Sequence, residues 1–131
     1  MATRAEGKFE VTGWDEETYE ELAGDAKLSK ARIEQEFHGD IEATGVWESV
    51  MCYCEDGTAS YTGIERVVGK LGDRSGSFVL LTNGEFSDGE AKTTWEVIPG
   101  SATDDLKGLT GKGTSVAPPG STGTFTLDYD V

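Results

Sequence analysis

Two acidic residues stand out by their surroundings. Glu48 and Glu65 sit inside otherwise apolar segments, VWESV and GIERVVG. Successive side chains on an extended chain point to opposite faces. Glu48 therefore shares a face with Val46 and Val50, and Glu65 with Gly63, Val67 and Gly69. A carboxyl turned into a protein interior loses its water, which raises its pKa. Such a group can act as an acid, a base or a cation stabiliser, so both glutamates are candidate catalytic residues. The glycines beside Glu65 leave space for a ligand. The competing reading puts each glutamate on the rim or exterior, or pairs it with Arg66 or Arg74, although Arg66 points away from Glu65. Phe37, Tyr53, Phe78 and Trp95 can line an apolar pocket, or can be plain core. Trp95 has the better case, because Thr93 and Val97 share its face. Tyr61 and Tyr129 can supply a hydroxyl, but tyrosines on strands commonly pack with a wet tip.

Other chemistries find little support. His38 is the only histidine. It lies on a polar face beside Gly39-Asp40 and is expected in solvent. Nothing near it forms a nucleophile elbow. One histidine and two cysteines do not make a zinc site. GKLGDRSG and GLTGKG look superficially like phosphate loops, but neither opens a helix after a parallel strand, and GKGT lacks the required spacing. No metal or organic cofactor is expected.

The elements that must position these residues are strands. Period-two alternation recurs along the chain. Phe9, Val11 and Gly13 alternate with Lys8, Glu10 and Thr12. Ala31, Ile33, Gln35 and Phe37 alternate with Arg32, Glu34, Glu36 and His38, and Ala91, Thr93, Trp95 and Val97 alternate with Lys92, Thr94 and Glu96. Further strands are expected over 41–54, 60–71, 76–83 and near the C-terminus, where Phe125, Leu127 and Tyr129 alternate. The segment WDEETYEELAGDAKL is either a short helix capped by Asp15 or an acidic loop or extended arm. LKGLTGKGT is expected to be a kinked strand, and APPGSTG a loop. About eight strands in simple succession, with short turns and no crossover helix, predict an all-β, eight-stranded antiparallel up-and-down barrel, lipocalin-like in shape. A sandwich is the alternative. One domain over residues 1–131 is expected on length. An eight-stranded interior is either filled or holds one small ligand.

The net charge of −14, from 25 acidic and 11 basic residues, opposes nucleic-acid binding and docking on anionic membranes. It favours solubility. A salt-adapted host would also fit the acidity, but lysine outnumbers arginine. No secretory leader is visible in MATRAEGKFEV, and no apolar run is long enough to span a bilayer as a helix. Cys52 and Cys54, two apart on a strand, are not placed for a disulfide. They read as reduced thiols in a cytoplasmic protein.

The strands between Val46 and Leu81 are apolar on both faces. Trp47, Met51 and Tyr53 oppose Val46, Val50 and Cys52, and Ile64 and Val68 oppose Tyr61 and Val67. Strands of this kind are buried on both sides. A barrel wall has only one inner side, so a homo-oligomer packing through these strands is expected. Otherwise the acidic N-terminal segment covers them. The other partner expected is a small apolar or amphipathic molecule in the cavity.

TGIERVVGKLGDRSGSFVLLTNGEF resembles a bacterial family of small uncharacterised proteins, domain-of-unknown-function family 3224. FEVTGWDEETYEE, VWESVMCYCEDGTASYTG and WEVIPGSATDDLKGLTGKG are similar to the same family in the same order, so the resemblance covers almost the whole chain. Members of that family look like allene oxide cyclase barrels. PGSATDDLKGLTGKG is similar to the glycine-rich turn and strand near the end of those barrels. The resemblance implies an eight-stranded barrel with a central cavity. It brings no activity with it, and no catalytic residue maps across. The wider group of cyclases implies a cofactor-independent cyclase or isomerase, against a non-catalytic carrier or structural barrel. Cys52 and Cys54 depart from the small or apolar residues that the family pattern leads one to expect.

Overall fold

The structure, a computed structural model, describes residues 2–118 and 122–131. Eight strands run in chain order: β1 (Thr3–Glu21), β2 (Lys27–Gly39), β3 (Ile41–Tyr53), β4 (Ala59–Leu71), β5 (Arg74–Ser87), β6 (Glu90–Val97), β7 (Thr110–Ala117) and β8 (Thr122–Asp130). Each pairs antiparallel with the next, and β8 returns to β1, closing a barrel. The expected all-β barrel is thus the observed fold. No helix among the described residues is long and apolar enough to cross a membrane.

The acidic segment after Gly13 is neither a helix nor a loop. It continues β1, pairing through Trp14↔Ile33, Asp15↔Arg32 and Glu16↔Ala31. A bulge between Val11 and Gly13 inserts one residue and reverses the facing of the residues that follow, up to a second shift between Thr18 and Glu20. Gly13 consequently lies opposite outward-facing Glu34, and Trp14 opposite buried Ile33. The β5–β6 hairpin turns on Asp88-Gly89, with φ of 53° and 80°, the conformation a two-residue type I′ turn requires.

The expected kinked strand over LKGLTGKGT divides in two. β7 begins only at Thr110, and Leu106 ends a single 3-10 turn (Asp104–Leu106). The segment leading into that turn lies along β5, where Thr103 and Ser77 exchange hydrogen bonds. Leu106 and Leu109 are fully buried with Ile41, Leu71, Leu80 and Leu127, and they plug that end of the barrel. Part of the expected loop APPGSTG, residues 119–121, lies outside the described residues.

The interior therefore has two unequal halves. Aliphatic side chains and Phe78 fill the plugged half. Above them lies a layer of four rings, Phe9, Phe37, Trp95 and Phe125. Phe37 meets Trp95 and Phe125 edge-on at 5.9 and 5.8 Å, and Trp95 stacks on Phe125 at 5.7 Å. These are favourable aromatic geometries, and they make a rigid floor for the space above.

On the outer wall of β3 to β5, Val50, Ile64, Val68 and Leu81 are 41–50% exposed. The N-terminal segment does not cover them, because it is committed to the ladder with β2.

Candidate functional site

A cavity of about 490 Å³ occupies the other half of the barrel. It opens at the end where β3 turns into β4 and β5 into β6. Its floor is Phe9 and Trp95, and its walls include Trp47, Met51 and Tyr61. Tyr53, Phe86 and Pro118 stand at the opening with Trp14, which is half exposed. The volume falls in the range of sites for small organic ligands, and the mostly apolar lining is typical of them.

Polar groups in the walls are few and mostly committed. Trp47 Nε1 donates to Thr82 Oγ1 at 2.9 Å, and Thr82 Oγ1 donates to the Gly63 carbonyl at 3.1 Å. The Tyr61 hydroxyl and Thr93 Oγ1 share a bond of 2.7 Å. Burial raises the Tyr61 pKa, and the bond to Thr93 opposes that rise. Tyr61 lies across Gly84, where any Cβ would strike its ring.

Glu65 lies low in this cavity and is 2% exposed. Desolvation alone pushes its pKa up to about 8. The acid is thus largely neutral at neutral pH, where an exposed glutamate is ionised. Its partner is Gln35, whose amide nitrogen, turned towards the carboxyl, reaches Oε2 at 2.6 Å and Oε1 at 3.3 Å. An ionised carboxylate only accepts, so it takes the amide N–H. A neutral acid can instead donate to the amide oxygen. Rotation of one amide therefore satisfies both protonation states. Space for the carboxyl comes from Gly45, which pairs with Gln35 and Val67 in the neighbouring rows. A Cβ at Gly45 would run into Glu65 Oε2 and the Phe37 ring.

A second carboxylate sits near the opening and behaves oppositely. Partial burial raises the Glu16 pKa. Hydrogen bonds from Ser29 Oγ (2.5 Å), the Tyr53 hydroxyl (2.7 Å) and Trp14 Nε1 (2.9 Å) outweigh it and hold the group below its usual value. The same contact, with burial first, pushes Tyr53 up to about 12. Glu16 remains an anion, and its bonds fix Trp14 and Tyr53 in place.

The structure divides the sequence candidates. Glu65, Tyr53, Tyr61 and Trp95 line the cavity. Glu48 does not. It lies on the outer wall, with a side chain 59% exposed and 3.4 Å from Arg32, so a role as a cavity acid is corrected. Its strand is apolar on both faces, and Trp47 and Met51 take the inner one. Phe37 and Phe78 face inward but are buried outside the cavity lining, Phe37 in the ring layer and Phe78 in the packed core. Tyr129 is half-buried against that same core. His38 is exposed, 3.5 Å from Glu42 and 3.9 Å from Glu10. Glu10, Glu36 and His38 bring ligand atoms within 4.8 Å of one another, an acidic surface cluster of a kind common without an ion. Cys52 and Cys54 are free thiols, the first half-buried and the second exposed.

Sequence reasoning missed Gln35, Trp14, Trp47 and Thr82 as site residues. Gln35 carried a signal: it is the one amide on a face otherwise made of Ala31, Ile33 and Phe37.

Fold and site together define a small antiparallel barrel, filled at one end and open at the other, with one buried acid in an apolar pocket. The chain belongs to the family described as Protein of unknown function (DUF3224), whose model matches residues 5–129. A crystal structure of a protein of unknown function from that family, from Shewanella oneidensis MR-1, is similar to this chain. It is 30% identical, with a TM-score of 0.84 over 99% of this chain and 98% of that one. No curated protein matches the chain.

Proposed function

We propose that this protein binds one small, mostly apolar molecule in the barrel and rearranges it without a cofactor, as an isomerase or cyclase. The observation that carries this reading is the Glu65 carboxyl, buried without a charged partner among the described residues inside an apolar cavity of about 490 Å³, where burial pushes its pKa up to about 8. The cavity holds a flexible guest in one folded shape, which removes much of the entropic barrier to ring closure or bond migration. Glu65 donates its proton to an acceptor atom of the guest. The resulting carboxylate, held by the Gln35 amide, takes a proton from a carbon of the same guest. Glu65 returns to its acid form, and no external oxidant or reductant is consumed. Tyr61 offers a second hydroxyl at the wall. The resemblance of PGSATDDLKGLTGKG to a stretch of the allene oxide cyclase barrels agrees with such chemistry and belongs with the proposal.

The test begins with mass spectrometry of molecules that copurify under native conditions, followed by incubation of the recovered compound with the protein. Glu65→Gln keeps the shape and a neutral polar tip. Retained binding with turnover reduced by about a hundredfold or more supports the acid role. Turnover by the variant at the wild-type rate refutes it. Binding with no turnover by either protein makes this a carrier.

A further inference from the structure

We propose that two copies of this chain pair face to face through the outer walls of β3, β4 and β5, about a two-fold axis running diagonally across Val46, Ile64 and Leu81.

The outer wall there is a regular lattice. One row of paired residues is Val46–Arg66–Val79, and the next is Glu48–Ile64–Leu81. Val50–Thr62–Asn83 follows on one side and Thr44–Val68–Ser77 on the other. Rows are about 6.8 Å apart along the strands, and columns about 4.8 Å apart. Arg66 and Glu48 are therefore opposite corners of one cell, and Val46 and Ile64 are the other two. In a face-to-face pair, a two-fold axis lying in the interface brings each residue onto its mirror position across that axis. The axis equidistant from Arg66 and Glu48 passes within about 1.5 Å of Val46, Ile64 and Leu81 on these spacings. It sets Arg66 of each copy against Glu48 of the other. It also sets Val79 against Val50 and packs the three axial residues on themselves. Glu34, level with Val46 on the neighbouring strand, also falls near the axis and meets its own copy at the edge of the patch, the one like-charge contact of this arrangement. The strands of the two copies cross at roughly 70°, close to the orthogonal class of sheet packing.

Charge selects a second copy as the occupant. Each chain carries −14, so most faces of two copies repel. This wall is different: Lys30, Arg32 and Arg66 offset Glu34 and Glu48 across the patch. Among the described residues, Arg66 sits amid apolar side chains without an ion pair, while Glu48 has only the exposed contact with Arg32. The apolar area spans on the order of 15 by 20 Å. That makes the dry centre of a standard interface, and the polar residues around it supply the rim.

Sedimentation and charge reversal test this. The wild-type chain should sediment at twice its 14.0 kDa, and association should tighten with added salt as the net repulsion is screened. Arg66→Glu and Glu48→Arg each put like charges in contact and should weaken the dimer by about a hundredfold. The double variant restores opposite charges and should restore the dimer. Both changes are on the exposed outer wall, so circular dichroism and ligand uptake in the cavity of all three variants should match the wild type. A wild-type monomer at every concentration overturns the proposal. Dimers that ignore the single reversals, or a double variant that stays as weak as the singles, overturn it equally.

Discussion

A carboxyl that is 2% exposed, bonded to a neutral amide and without a counter-ion among the described residues has its ionisation opposed by the fold. The native pKa of Glu65 is about 8, against an ordinary value of 4.5. Below the ordinary value the group is neutral whether the chain is folded or not, and contributes no pH dependence. Between the two values the unfolded chain has released a proton that the native chain retains. Stability then falls as pH rises, by on the order of 1 kcal/mol per pH unit, and levels off above the native pKa. Glu65→Gln removes that fall. Urea unfolding near about pH 5 and about pH 9 should find the variant relatively more stable at the alkaline end. Equal pH slopes for variant and wild type would show that Glu65 ionises freely. Whether Glu65 points inward was left open by the sequence: Gly63 and Val67 share its face, but Ile64 and Val68 make the opposite face apolar too. Glu48 was left open for the same reason. Both faces of β3 are apolar there, so alternation fixes the partition of residues into faces without saying which face is inside.

At the scale of the element, alternation gives facing, but height along the barrel is set by how neighbouring strands are staggered. Phe37, Phe78, Tyr53 and Trp95 all face inward, yet Phe37 and Phe78 fall in the ring layer and packed core while Tyr53 and Trp95 reach the cavity. No local pattern distinguishes them. The bulge in β1 was equally hidden. An unbroken alternation from Phe9 and Val11 turns Trp14 outward, and one inserted residue brings it to the cavity opening. The 3-10 turn before β7 was obscured by the glycines that follow it, although Leu106 and Leu109 mark the segment as buried. Leu106→Ala should destabilise the barrel by about 2–5 kcal/mol, because it opens a void in a fully packed region. Chemical denaturation measures this directly. The cavity lies beyond the ring layer, so guest uptake by the folded variant should be unchanged. A loss below about 1 kcal/mol would mean that the plug is loosely packed.

For the whole molecule, the closed topology was readable from the succession of strands, and the asymmetry between its ends was not. A barrel of eight strands leaves interior space that side chains either fill or surrender to a ligand. Here the segment between β6 and β7 folds back to fill one end, and the rings above it leave the other end open with Glu65 in its wall. If that space is a site for neutral apolar molecules, its affinity must depend on the state of its acid. Uptake of neutral N-phenylnaphthylamine, followed by its fluorescence across pH, tests this most directly. Binding to the wild type should be strongest where Glu65 is neutral and should weaken as pH rises through about 8, because an ionised carboxylate has to be left without water beside the guest. Binding to Glu65→Gln should stay level over the same range. Uptake by neither protein, or the same pH profile in both, would contradict a ligand cavity governed by a buried neutral acid.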